Sequence, residues 1–281
     1  MNKILYICDF FLDRVVGGAE LNDYVLCNLL KSKGHVVKKK LSHEINHNSL
    51  KEFKEYFFII SNFINLKEEY KTIITAKFKY IIYEHDHKYL INRNPNSYKN
   101  YLAPKNHIVN YDFYKNAKAV ITQSSFHKNI VCKNIKTDNI VNISGNLWKI
   151  EDLNFMREIS KKKKSETYAI QNAPTWHKNT ADAIKYCRAK NIKYNLLHSA
   201  NYRDFLTQLG NNKKLVFLPK SPETLSRIVV ESRMMNMGVV INKNIGASHE
   251  AWFNLKGDKL IDYMINKREE ISQKIIGIVN E

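Results

Sequence analysis

Two carboxylates, Glu223 and Glu231, stand eight residues apart in the stretch FLPKSPETLSRIVVESRMMNMGVVI, Phe217 to Ile241. The stretch reads as strand, loop, helix, strand. Ser221-Pro222-Glu223 writes a helix start: a cap, a proline at the first helical position, and an acid meeting the positive end of the helix dipole. On such a helix the two acids differ by about 80° around the axis and about 12 Å along it. One then sits at the helix mouth and the other two turns deeper, which suits a ligand lying across a helix N-terminus. Dipole compensation by itself accounts for Glu223. It accounts less well for Glu231, set among Ile228, Val229, Val230, Met234, Met235 and Met237, because a carboxylate among apolar neighbours needs a partner.

A second concentration of titratable groups, Tyr83-Glu84-His85-Asp86-His87, closes the apolar run FKYIIY. Active-site residues of open α/β sheets collect at the carboxyl ends of strands, and a histidine there handles protons near neutrality. His85 and His87 share a face on a strand, but the spacing offers no third metal ligand. Gly17-Gly18 separates the first strand-like run from the first helical one, where absent side chains let backbone N–H groups approach a phosphate; tight turns use the same pair, and the pattern is not GxGxxG. His43-Glu44-Ile45-Asn46-His47 spells HExxH. A zinc site needs that motif on a buried helix, whereas here it follows a basic strand and runs into Asn48-Ser49, so it reads as a surface loop or helix start.

The elements that must carry these residues alternate. KILYICDF, VVKKKLS, FFIISNF, FKYIIYEH and AKAVITQS read as strands, and AELNDYVLCNLLKSKGH, closed by Gly34, and LKEFKEY as helices. A lysine-rich interruption lies between Trp148 and Ser165. After it come strand TYAIQN, helix TADAIKYCRAK, strand KYNLLHS, helix NYRDFLTQL, strand KLVFLP, the glutamate helix, strand GVVI, and a long amphipathic helix from LIDYMINKREE onward. Alternation of this kind makes a parallel sheet covered on both faces. The expectation is an α/β chain of two Rossmann-like doubly wound domains, 1–150 and 151–255, with a C-terminal helix over 256–281 packing across the junction. Ligands of such sheets bind at strand carboxyl ends, so the expected site is a cleft between the domains.

Composition bounds the partners. Forty-five Lys and Arg against 27 Asp and Glu leave a formal charge of +18, a field that draws polyanions. The clusters Lys38-Lys39-Lys40, Lys161 to Lys164 and Lys213-Lys214 would pull in phosphate backbones or anionic lipid heads. Part of this charge follows from a bias toward Lys, Asn and Ile. Cys8, Cys27, Cys132 and Cys187 are too scattered for a disulfide framework or a zinc site. No apolar run is long enough to span a bilayer, and the N-terminus lacks a signal-peptide cleavage site. A cytoplasmic protein is expected.

The glutamate helix, the following Gly238-Val239-Val240-Ile241, and Ile245-Gly246-Ala247-Ser248-His249-Glu250 together resemble the signature of retaining GT-B glycosyltransferases of family 4. The likeness is firm over 215–250 and looser over the rest of the chain. It implies that Glu223 meets hydroxyls of the donor sugar and Glu231 the ribose, that GGAE at 17–20 faces the donor phosphates, and that His85-Asp86 is the family's His-Asp pair. In Trp176-His177-Lys178-Asn179 it implies that Lys178 neutralises the departing diphosphate. The family's neighbouring arginine has no counterpart in QNAPTW; Arg227 or Lys220 is the substitute the sequence offers. The resemblance implies no metal and no cofactor, a UDP- or GDP-sugar as substrate, and no obligate protein partner. The shortness of the chain, its charge and the YEHDHKYL segment resemble glycosyltransferases of bacteriophages acting in the host cytoplasm. The implied acceptor is a hydroxymethylated pyrimidine of phage DNA. Glycans at a cell surface or on lipid, with docking on an anionic membrane, are the alternative; a non-catalytic nucleic-acid-binding protein is the third.

Overall fold

The computed structural model describes all 281 residues and divides into two compact units, Met1–Leu147 with Arg268–Glu281, and Trp148–Lys267. In the first unit six parallel strands form one sheet: β1 (Lys3–Cys8), β2 (Val36–Leu41), β3 (Phe57–Ile60), β4 (Tyr80–Tyr83), β5 (Ala119–Thr122) and β6 (Ile140–Asn142), in the order β2-β1-β3-β4-β5-β6. Side chains alternate across a strand, so a sheet covered on both faces must be apolar at every position. Leu5, Ile7, Phe58, Ile60 and Ile82 enter one core, and Ile4, Tyr6, Ile59, Ile81 and Tyr83 the other. The second core takes Val25, Leu26 and Leu30 from helix α1 (Gly18–Ser32). Gly34, at φ 86°, allows the left-handed turn that ends this helix and starts β2. Shorter helices follow: α2 (His47–Glu52), α3 (Glu68–Lys77), α4 (Tyr111–Lys115) and α5 (Ser125–Asn134).

The second unit carries β7 (Ser165–Gln171), β8 (Tyr194–Leu197), β9 (Asn212–Phe217) and β10 (Gly238–Ile241), all parallel, in the order β10-β9-β7-β8. Its helices are α6 (Ile150–Ser160), α7 (Thr180–Ala189), α8 (Tyr202–Gly210), α9 (Arg227–Met234) and the start of α10 (Gly257–Asn280). Leu215 and Phe217 face a core with Trp148, Val230 and Met234, and Val216 faces one with Ala183 and Cys187. Helix α10 places Leu260, Ile261 and Met264 in the first of these cores, while Ile271, Ile275 and Val279 belong with α1 and β1. No helix is long and apolar enough to cross a membrane.

Two elements differ from the sequence reading. Helix α2 starts at His47, where Asn46 caps it by accepting from Ser49 N–H, and stops at Glu52, where Phe53 turns into the core before the Lys-Glu-Tyr that follows. More consequential, the glutamate helix begins at Arg227, not at Ser221-Pro222-Glu223. Residues just before Ser226 instead pair with 244–247: Glu223 N–H donates to Asn244 C=O (2.8 Å), Gly246 N–H to Glu223 C=O (3.0 Å) and Ala247 N–H to Leu225 C=O (2.9 Å). Leu225 and Ile245 are both buried there. Tertiary pairing overrides the local helix-start signal, and the separation of the two acids expected for a continuous helix does not apply.

Candidate functional site

In the second unit the groups that could meet a ligand gather where β7 and β9 end. A 3-10 turn, Trp176–Lys178, follows β7 and is stitched to the chain leaving β9 by Lys220 N–H donating to His177 C=O (2.8 Å) and the Asn179 amide to Leu218 C=O (2.7 Å). Asn179 adopts φ 58°, a left-handed conformation that asparagine tolerates well. Held in this way, the Lys178 ammonium donates to both oxygens of Glu223, at 3.0 and 3.1 Å, over the face of Phe217. The pair is partly open to solvent, 28 % for the lysine side chain and 14 % for the glutamate. That exposure decides its character: an accessible cation and a carboxylate facing each other across the strand ends, available to exchange partners.

Glu231 sits deeper. Its Oε1 accepts from the Trp148 indole N–H (2.9 Å) and the Tyr202 hydroxyl (2.6 Å), and Arg227, one turn earlier on α9, approaches it at 3.3 Å with its guanidinium stacked on the Trp148 ring at 4.4 Å. Burial, then the neighbouring carboxylate, pushes the Tyr202 hydroxyl well above its ordinary pKa, so it stays a donor. All these bonds converge on one oxygen. The partner that the sequence demanded for Glu231 is thus a Trp-Tyr-Arg cage. Neither Trp148 nor Tyr202 was legible as part of it, because nothing local ties residues 83 and 29 positions away. Ahead of α9, Ser226 takes φ 77° and ψ 84° with no side-chain cap, and its buried hydroxyl has no hydrogen-bond partner.

In the first unit the sequence candidates separate. His85 turns inward: Nε2 meets Asp23 at 2.9 Å, Nδ1 meets the Gln123 amide at 2.9 Å, and the ring stacks on Tyr83. Asp23 also accepts from Ser61, and Gln123 accepts from Asn146. Both ring nitrogens are thereby engaged within the protein, so the expected donation from His85 to a ligand is not the arrangement found. Asp86 points the other way, to Arg93 at 2.9 Å, with its pKa raised by burial. Glu84 is wholly buried. Burial would raise its pKa, but Lys88 at 2.6 Å and the Tyr114 hydroxyl overcome this and hold it at about 2.

Gly17 caps α1, but the space its missing side chain leaves is filled by the carboxylate of Glu20, whose pKa burial raises. Gly18 is the first residue of α1. The turn is built for Glu20 before it is built for a phosphate. His43 lies in a surface turn and His47 starts α2, bonding Glu69 at 2.8 Å. Nowhere do three His, Cys, Asp or Glu side chains gather as a metal would require. All four cysteines are free thiols.

No family model matches the chain. No curated protein matches it either. Solved structures do. HepE of Anabaena, in complex with UDP and glucose, superposes with a TM-score of 0.55 at 14 % identity, covering 99 % of this chain and 93 % of that one. An alpha-glucosyltransferase in complex with UDP and a 13-mer DNA containing a HMU base gives 0.54 at 12 %, covering 96 % and 90 %. A glycosyltransferase from Rickettsia africae gives 0.54 at 13 %, covering 99 % and 93 %. The fold is the two-sheet GT-B architecture of these glycosyltransferases.

Proposed function

We propose that the protein is a retaining glycosyltransferase that moves a sugar from a nucleoside diphosphate donor to the hydroxyl of a hydroxymethylated pyrimidine in DNA. The observation that carries the reading is the partly exposed Lys178–Glu223 pair at the carboxyl ends of β7 and β9. A diphosphate and a sugar present anions and hydroxyls, the partners that would exchange with this pair. Lys178 takes the diphosphate oxygens, Glu223 the sugar hydroxyls, and Glu231, through the oxygen not held by its cage, the ribose. The left-handed Ser226 turns the backbone at the start of α9, so that helix N–H groups add to the field on the phosphates. Of the two substitutes for the absent arginine, Arg227 is committed to Glu231 and Trp148, which favours Lys220.

Group transfer breaks the anomeric C–O bond to the diphosphate and forms one to the acceptor oxygen on the same face; the acceptor proton ends on the leaving diphosphate. Cations lower the cost of the charge that develops there, which is why the reading requires no metal. The acceptor assignment draws on the +18 charge and on the DNA bound by one structural neighbour. Incubation with radiolabelled UDP-glucose and duplex DNA containing 5-hydroxymethylpyrimidines tests it. The expected result is label on DNA, falling steeply with added salt. Label on a lipid extract instead would move the acceptor to glycans, and failure to bind or hydrolyse any of the common sugar nucleotides would end the enzyme reading.

A further inference from the structure

The first unit has a cavity of about 550 Å³ lined by Phe11, Arg14, Tyr24, Lys39, Leu41 and Glu44, with Leu12 and Asp13, a size that holds a small ligand. It opens beyond the carboxyl ends of β1 and β2, where open parallel sheets bind ligands. The loops that carry its lining are anchored: buried Asp9, two residues before Phe11, accepts from Ser42, next to Leu41, and from the backbone N–H groups of Ile64 and Asn65. Lysines on β2 also do what edge-strand lysines usually do, which is to deter pairing with another chain. Side chains alternate along β2, however, so Lys39 faces away from Lys38 and Lys40 and toward the side of α1. Its ammonium lies 5.1 Å from the Phe11 ring centre and 5.7 Å from that of Tyr24. Neither Lys39 nor Arg14 has a carboxylate within ion-pair range.

We propose that this cavity seats one nucleotide unit of a nucleic-acid strand, its base against Phe11 and Tyr24 and its phosphates on Lys39 and Arg14. Flat aromatic faces receive a base whatever its sequence, and uncommitted cations track the backbone, which is how single strands are gripped. The ammonium leaves the rings for a phosphate oxygen because a charge-assisted hydrogen bond is the stronger contact. The proposal rests on the reading of DNA as acceptor and adds where the strand lies.

Fluorescence anisotropy of a labelled thymidine oligonucleotide with the full chain, over a salt series, tests it. Phe11→Ala and Lys39→Gln should each weaken binding about tenfold. Lys39→Gln should also lower the log–log salt slope by about 0.7, and Phe11→Ala should leave the slope unchanged. Phe11→Trp, which keeps a ring face, should retain binding, and thymidine monophosphate should compete only at far higher concentration than the oligonucleotide. An equal loss from Lys136→Gln, an exposed cation elsewhere on the unit, would overturn the site, as would full affinity in Phe11→Ala, lost affinity in Phe11→Trp, or equal competition by the mononucleotide. The two readings fail separately. Affinity lost in Phe11→Ala with no sugar transfer detected keeps the cavity and removes the transferase; transfer to DNA at unchanged KM in Phe11→Ala does the reverse.

Discussion

Replacing Glu223 by Gln should strengthen the binding of UDP without strengthening that of UDP-glucose. The carboxylate holds Lys178 at 3.0 and 3.1 Å, so a diphosphate that recruits this ammonium must first break that pair. At 3 Å and an effective dielectric near 20, the gross attraction is about 5 kcal/mol. Most of it is cancelled by desolvation and by the solvent that reaches both side chains, since exposed pairs are worth only about 0.2–1 kcal/mol and the lysine here keeps 28 % exposure. A net value of about 1–2 kcal/mol is left, equivalent to roughly 5- to 30-fold in the dissociation constant of UDP. The sugar nucleotide gains the same release but loses a charged acceptor for the sugar hydroxyls, about 1.5–3 kcal/mol for hydrogen bonds to a charged group. The balance for UDP-glucose is therefore no gain or a loss. Isothermal titration of both ligands against both proteins measures the two changes directly. Equal shifts for UDP and UDP-glucose, in either direction, would refute the assignment of Glu223 to the sugar and of Lys178 to the phosphates.

Other perturbations separate structural from ligand-facing roles. Lys178→Ala should lower kcat by about 100-fold or more while costing no more stability than the roughly 1–2 kcal/mol of the pair it breaks, because the charge it removes is the one proposed to act on the leaving group; unchanged kcat would take Lys178 out of the site. Glu231→Gln should weaken donor binding and also cost stability, measured by calorimetry, since it removes the charge on which Trp148, Tyr202 and Arg227 converge. Ser226→Gly should stabilise by about 0.5–1 kcal/mol, the relief of a left-handed conformation exceeding the entropy of the new glycine, because the hydroxyl makes no bond to lose; a lower melting temperature would refute the strain. Glu84, held at about 2 against about 4.3 in an unfolded chain, should contribute on the order of 3 kcal/mol above pH 4.3, lost as pH falls toward 2. Urea midpoints across that window should slope steeply in the wild type and much less in Glu84→Gln.

Most strands were legible as short apolar runs: KILYIC, FFII, YIIY and AVIT fall on β1, β3, β4 and β5, whereas β6, three residues long, was too short to stand out. Helices α3 and α5 were not, because EEYKTIITAK and SFHKNIVCKN show too narrow an apolar stripe to stand out from loops. Glu231 was legible for a physical reason, a charge amid apolar neighbours. The conformation of Glu223 was not: Ser-Pro-Glu opens a helix or leaves a strand equally well, and only pairing with residues 244–247 decides it. His85 was read correctly as a residue at a strand end, but its direction was set by Asp23, an acid on a helix face that otherwise carries Leu26, Cys27 and Leu30.

The stacking of Arg227 on Trp148, together with the bond from its indole N–H to Glu231, gives the protein a built-in optical probe. Indole emission responds to charges placed against the ring and to the polarity around its nitrogen, so any occupant that draws Arg227 or Glu231 aside should alter the colour of that emission. Trp252 is buried elsewhere in the same unit, and Trp176, 61 % exposed, is readily silenced by an aqueous quencher. Occupancy could then be followed in real time without attaching a dye.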